Sequence, residues 1–294
     1  MFRRIVCATD FSDPANTATR YAASVARTYG SALDLVHAWD FATELSSEFA
    51  ALGPESIAES RRLDEAKLSS VAAALATHGV KATGKLVDGS ADRAIVAYGA
   101  SSGADLIVTG TEGRTGVLHA LLGSVAERIL RTSDVAVLAV PRATQIAEGA
   151  AFAPKQILVP IDLSPSSAEV LRVAVAIAAK TGARVCAVHA TSGHVYAGAD
   201  GEVTGAADAD IPKRATAWVG ATLGANAGSV VLVVETGPPS DVIAKVASEQ
   251  KPDLIVMATA GRTGIEHFMI GSVTERTLRT VGVPVLTFRR PPRL

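Results

Sequence analysis

The sequence predicts an α/β protein built from two repeated, doubly wound domains, each a five-stranded, mainly parallel sheet flanked by helices. Three observations carry this expectation. The first is an internal repeat: Asp105-Leu106-Ile107-Val108 returns as Asp253-Leu254-Ile255-Val256, and Gly113-Arg114-Thr115-Gly116 as Gly261-Arg262-Thr263-Gly264, each 148 positions later. The second is that strand-like runs, apolar at nearly every position, alternate with longer helical stretches, as parallel strands buried on both faces and joined by crossovers require. The third is composition: 48% of residues are hydrophobic but only 4% aromatic, so Val, Ile, Leu and Ala must build the core.

In the first copy, residues 4–9 form a short apolar strand. Asp13 is a candidate N-cap with Pro14 at the first helical position, and that helix ends near Gly30. Residues 33–38 make the second strand, and residues 55–78 a helix that carries Leu63, Leu68, Val71 and Leu75 at helical spacing and stops at Gly79. The third strand spans 80–87, a helix follows Ser90, the fourth strand spans 105–110, a helix spans 124–131, and 135–140 is the fifth strand. The second copy repeats the strands at 156–161, 185–189, 230–234, 254–258 and 283–288. Thr9-Asp10-Phe11-Ser12 corresponds to Ile161-Asp162-Leu163-Ser164 at a spacing of 152, so the second copy has lost four residues further on, placed in its Gly/Ala-rich stretch 191–209. The expected division is a first domain at 1–143, a linker at 144–153 and a second domain at 154–294.

Several classes of function are disfavoured. With 28 Lys and Arg against 29 Asp and Glu, the net charge of -1 offers no basic excess to hold a phosphate backbone, so nucleic acid is not an expected partner. No apolar run approaches the roughly 20 residues that cross a bilayer, and Met1-Phe2-Arg3-Arg4 leads straight into a strand, as expected for a cytoplasmic protein. Cys7 and Cys186 each lie inside an apolar strand, where a reduced thiol serves as a small hydrophobe rather than a disulfide or metal ligand.

The chemistry is expected in the loop after the fourth strand, beyond the carboxyl ends of the sheet, where ligands collect in doubly wound folds. Gly110-Thr111-Glu112-Gly113, nine residues and then Gly123-Ser124 give the pattern G-x2-G-x9-G-[ST]. Glycines let backbone N–H groups approach an anion, and a helix N-terminus with a serine hydroxyl is a phosphate site. A glycine pair alone would mean only a tight turn and a cap. The full spacing between a buried strand and a helix favours phosphate.

These residues resemble the universal stress proteins, in their tandem two-domain form, over residues 4–141 and 155–289. The resemblance implies strand order 3-2-1-4-5, a dimeric or pseudo-dimeric pairing of units, a homodimer of tandem chains, and ATP between the ends of the first and fourth strands. It places Asp10 and Ala38 by the adenine, Gly110 and Gly113 along the ribose and phosphates, and Gly123, Ser124 and Val125 around the phosphate chain, while Arg114, after the second glycine, either adds a phosphate contact or is a solvated loop residue. In the second copy the matching positions are Asp162, Ala190, Ala258, Gly261, Gly271, Ser272 and Val273. There Ala258 replaces the first glycine; its Cβ is expected to crowd the nucleotide or to oppose a positive φ at a cost of roughly 1–2 kcal/mol, leaving the first domain tighter.

His119 and His267 are equivalent loop residues that either approach phosphate or pack over the fold. His37 and His189 end the second strands and are expected to satisfy backbone groups, since no cluster of metal-ligand spacing accompanies them. Glu112 would repel phosphate unless it faces solvent or shares a cation, so Mg²⁺ is expected to accompany ATP. No Walker lysine, kinase signature or nucleophile elbow is found, so ATP hydrolysis is at most slow. Three functions stay open: a nucleotide-binding regulator of the stress response, an ATP-independent interaction scaffold using residues 135–140 and 283–288, and a slow ATPase using Glu112 or His119.

Overall fold

A computed structural model of the chain describes residues 1–40, 54–112, 122–191, 194–197, 203–206, 210–259 and 270–289. It divides into two units, Met1–Phe152 and Ala153–Leu294. In the first, β1 (Arg4–Ala8), β2 (Ala32–Trp39), β3 (Lys81–Asp88), β4 (Leu106–Gly110) and β5 (Ala136–Val140) alternate with α1 (Asp13–Tyr29), α2 (Pro54–Thr77), α3 (Ala91–Ser101) and α4 (Ser124–Thr132). All four strand pairings within it are parallel, in the order 3-2-1-4-5. The inner strands are apolar at almost every position because helices cover both faces, and Ile5, Leu33, Leu35 and Ile107 are wholly enclosed.

Strand alternation assigns the helices to faces. Cys7 and Leu35 are register partners, and the Cys7 thiol lies 3.7 Å from the Thr19 hydroxyl of α1. Leu35 also pairs with Gly84, over which Leu68 of α2 packs, so α1 and α2 share that face. The alternate residues Asp34 and Ile107 meet Tyr98 and Gly99 of α3, and α3 packs on α4, so these two helices cover the opposite face. A methyl group at Gly84 would stand 2.7 Å from Leu68 Cβ and 3.0 Å from its backbone carbon. Gly84→Ala is therefore expected to destabilise the first unit by roughly 1–2 kcal/mol, read from the shift of its urea transition.

The second unit contains β6 (Gln156–Ile161), α5 (Pro165–Thr181), β7 (Arg184–Thr191), β8 (His194–Ala197), β9 (Val203–Ala206), α6 (Ile211–Leu223), β10 (Val230–Thr236), α7 (Pro239–Gln250), β11 (Leu254–Ala258), α8 (Ser272–Thr280) and β12 (Val285–Phe288). Its five-stranded parallel sheet repeats the first unit's registers: Arg4↔Ala32 recurs as Gln156↔Arg184, and Ile5↔Leu106 as Ile157↔Leu254. The antiparallel hairpin β8–β9 lies in the Gly/Ala-rich stretch that was expected to hold only a deletion. Its strands have four residues each, too short for an alternation pattern to emerge.

Capping differs from expectation in one place. The N-cap of α1 is Ser12, whose hydroxyl accepts from the Ala15 amide at 3.4 Å, and Asp13 is the first helical residue. Pro14 and the left-handed Gly30 (φ 70°) bound the helix as expected. The segment expected as linker, 144–153, contains Phe152, whose ring packs edge-on against Tyr21 and whose amide donates to the Thr28 hydroxyl at 2.9 Å.

Burial raises the Cys7 thiol to about 12, against a smaller opposing effect of its contact with Thr19, and raises the Tyr29 phenol to about 12. Their ordinary values are 9.0 and 10.0, so above those pH values the unfolded chain ionises while the native chain stays protonated. The stability these groups contribute is complete below pH 9.0 and is lost as pH rises toward about 12. Denaturation midpoints are expected to fall over that alkaline window, and Cys7 to resist thiol reagents until the chain unfolds.

Candidate functional site

In the order 3-2-1-4-5 the winding reverses between the first and fourth strands, and the crevice beyond their carboxyl ends is the default ligand position. Asp10 follows β1 at this point and Asp162 follows β6. The chain just beyond each aspartate is strained in the same way: Phe11 has φ 62° and Leu163 φ 63°, left-handed values that bulky residues avoid. Side chains hold the turn. Asp10 Oδ1 accepts from the Ser12 amide at 3.1 Å and hydroxyl at 2.5 Å, and the Phe11 amide donates to the Thr9 hydroxyl at 3.1 Å. Asp162 Oδ1 accepts from the Ser164 amide at 3.0 Å and the Ser167 hydroxyl at 2.5 Å. A glycine would have announced this conformation; a phenylalanine and a leucine conceal it from sequence inspection.

The second-strand histidines brace the same turns. His37 Nδ1 lies 2.7 Å from the Thr9 carbonyl and His189 Nδ1 2.9 Å from the Ile161 carbonyl. Because a carbonyl only accepts, each Nδ1 carries the proton and donates. The Phe11 ring packs against His37 with centroids 4.8 Å apart, and Lys67 Nζ stands 5.4 Å over the Phe11 ring. Among the described residues no group of three or more His, Cys, Asp or Glu could hold a metal ion.

After the fourth strand, the described ends of the loop meet. The Thr111 amide donates to the Val140 carbonyl at 3.1 Å, and the Gly123 amide to the Thr111 carbonyl at 2.7 Å, which returns the chain to the end of β4. In the second unit Thr259 bonds Phe288 at 2.9 Å and Gly271 bonds Thr259 at 2.8 Å. This closeness explains the glycine: a Cβ at Gly271 would lie 3.0 Å from the Thr259 carbonyl oxygen. Gly123 and Gly271 are then the N-caps of α4 and α8, and neither helix has a side-chain cap. The first intrahelical bonds are Glu127 to Gly123 at 2.9 Å and Glu275 to Gly271 at 3.0 Å, so the three amides before each point out of the helix end. Ser124, Val125 and Ser272 are exposed and Val273 is half-buried. The first-turn glutamates are drawn back along the helix by Arg131 at 2.9 Å and Arg279 at 3.0 Å, which leaves the partial positive charge of the helix ends to an anion.

Asp10 thus follows β1, Gly110 ends β4, and Gly123, Ser124 and Val125 open α4, with Asp162, Ala258, Gly271, Ser272 and Val273 at the same places in the second unit. Ala38 and Ala190 are half-buried in the second strands, one residue past the bracing histidines. Gly113, Arg114, His119, Gly261 and His267 lie outside the described residues. Glu112 is half-buried at the start of the loop.

One expectation is corrected. Gly110 does not have a positive φ, so a residue with a side chain at that position meets no left-handed penalty. A Cβ there would point toward the first turn of α1, 3.2 Å from the Pro14 carbonyl oxygen. The replacement at 258 also comes with a partner: the Ala258 carbonyl accepts from the Thr274 hydroxyl at 3.0 Å, and at the repeat spacing the first copy has Ala126 in place of Thr274. That paired change was visible in the aligned repeats.

Fold and site together define a class: a tandem of doubly wound α/β domains, each with an aspartate just after its first strand and a glycine-led helix start without a side-chain cap after its fourth. The chain matches the model of the universal stress protein family over residues 1–141 and again over 154–289. It belongs to that family. Universal stress protein MJ0531 of Methanocaldococcus jannaschii is 29% identical over 143 residues, covering 47% of this chain and 84% of the relative. Universal stress protein Rv2005c of Mycobacterium tuberculosis is 29% identical over 194 residues, 65% of this chain and 63% of the relative. A universal stress protein of Archaeoglobus fulgidus of known structure has the same fold over 98% of both chains, with a TM-score of 0.74 at 22% identity. No described helix is long and apolar enough to cross a membrane.

Proposed function

We propose that this protein is an ATP-binding regulator of the stress response, with a nucleotide site in each domain and bound ATP setting its conformation or partner affinity. The observation that supports this best is the pair of glycine-led helix starts, at Gly123 and Gly271, that carry no side-chain cap. Outward amides suit phosphate, and a carboxylate acceptor suits the exocyclic amine of adenine. In the first domain Asp10 and Ala38 border the adenine, Gly110, Gly113 and Arg114 follow the ribose and phosphates, and Gly123, Ser124 and Val125 hold the phosphate chain. Asp162, Ala190, Gly261, Gly271, Ser272 and Val273 take these roles in the second. Mg²⁺ accompanies ATP near Glu112. The first site is the tighter, because Ala258, half-buried at the end of β11, carries a Cβ that Gly110 lacks. Tandem chains pair as homodimers.

The test is to denature freshly purified protein and identify released nucleotide by chromatography and mass. ATP or ADP at about one or two per chain supports the proposal. None, together with no binding on addition of ATP and Mg²⁺, overturns it in favour of an interaction scaffold.

A further inference from the structure

The two copies differ most at the strand that ends each sheet. In the first unit β3 pairs with β2 on one side, and in the second β10 pairs with β7; among the described residues no strand pairs with the other side of either. Leu33↔Ala82 in the first unit is the counterpart of Val185↔Val230 in the second, so the two edges align residue by residue. Where β3 presents Thr83 and Lys85, with Lys81 at its start, β10 presents Val231 and Val233, with Ser229 before it. Lys81 and Lys85 are exposed, and lysines on an edge strand are a standard guard against edge-to-edge pairing. The second unit has lost both, and its edge reads Val230-Val231-Leu232-Val233-Val234, with Val231 61% exposed. Its cover is also shorter: α6 has 13 residues where α2 has 24.

We infer that β10 is a self-association edge, and that its occupant is β10 of a second copy of this chain. Pairing of one strand with its own copy about a two-fold axis must be antiparallel. The run Val-Val-Leu-Val-Val reads the same in both directions, so an axis through Leu232 sets Val231 opposite Val233 and Val230 opposite Val234. Such β-branched cross-strand pairs stabilise antiparallel ladders. The one charge on the strand does not oppose its own copy: Glu235 falls opposite Ser229 and is already neutralised by Lys245 at 2.6 Å. Self-pairing of β3 would instead gather four lysines along one seam. The association uses the edge of the second unit's sheet and does not depend on nucleotide.

The test uses the full chain. Sedimentation velocity over a concentration series is expected to show a reversible dimer, and Val231→Lys, at an exposed position that a lysine can occupy, to weaken its Kd at least tenfold with an unchanged circular dichroism spectrum. In a Leu232→Cys variant the two thiols meet across the axis at a separation that a disulfide spans, so mild oxidation is expected to cross-link two chains. A Lys85→Cys variant on β3 is expected not to cross-link, and Cys7 and Cys186 are buried and do not compete. A chain that stays monomeric at every concentration, a dimer indifferent to Val231→Lys, or a Leu232→Cys protein that oxidises no faster than the Lys85→Cys control would overturn the inference.

Discussion

Gly123→Val is expected to lower the first domain's affinity for ATP by about a hundredfold while the chain remains folded. The amide of this residue donates to the Thr111 carbonyl at 2.7 Å, and its counterpart Gly271 would set a Cβ 3.0 Å from the equivalent Thr259 oxygen. A β-branched side chain therefore forces the start of α4 away from the end of β4. Hydrogen bonds from backbone amides to a charged phosphate contribute roughly 1.5–3 kcal/mol each. Misplacing the outward amides costs about 3 kcal/mol of binding, which is the hundredfold loss. Calorimetric titration of ATP measures it. Gly123→Ala, with one carbon rather than three, is expected to fall between wild type and valine. Equal losses from a Ser124→Ala variant would shift the weight from the amides to the hydroxyl.

The second large effect concerns stability. Asp34 is 4% exposed on β2 and accepts from Arg4 Nη1 at 2.9 Å, the Thr83 hydroxyl at 2.6 Å and the Tyr98 hydroxyl at 3.2 Å. It ties β1, β3 and α3 to one carboxylate. Asp34→Ala is expected to destabilise the first unit by about 3 kcal/mol, through the loss of three bonds to a charged acceptor. The Arg4 side chain is 42% exposed, so solvent screens that pair and most of the cost comes from the two hydroxyl donors. The second unit is an internal control, because its counterpart of Asp34 is Cys186. Its urea transition should not move. Burial, and then the charge and hydrogen bond of Asp34, hold the Tyr98 phenol above 10.0, so in the variant its ultraviolet titration is expected to shift down toward that value. An Asp34→Asn chain, which keeps an acceptor, should lose less.

How much of this was legible depended on whether a signal had room to repeat. Strands such as Ile5-Val6-Cys7 and Leu106-Ile107-Val108 are apolar on both faces, and with helices between them they imply a parallel sheet before any coordinates. The glycine-led starts of α4 and α8 were legible because Gly123 and Gly271 recur at the repeat spacing. Asp34 was hidden inside a run, 33–38, read as a strand apolar at nearly every position, where nothing local shows that Thr83 and Tyr98 converge on it. The N-cap was misplaced by one residue because Ser12 and Asp13 are both capping types, and only the position of the Ala15 amide decides between them. The left-handed turns after Asp10 and Asp162 were illegible for the opposite reason. Their strain is carried by Phe11 and Leu163, residue types that argue against it, and is held by bonds from Thr9, Ser12 and Ser167.

The central claim is that each domain carries its own ATP site at a glycine-led helix end, and the most direct measurement is the number of ATP molecules bound per intact chain. Equilibrium binding of ATP with Mg²⁺ should be compared for wild type, Gly123→Val, Gly271→Val and the double variant. The account predicts one site per domain in wild type, loss of the tighter site in Gly123→Val, loss of the weaker in Gly271→Val, and no binding in the double variant. Full binding retained by the double variant, or none by wild type, would contradict it.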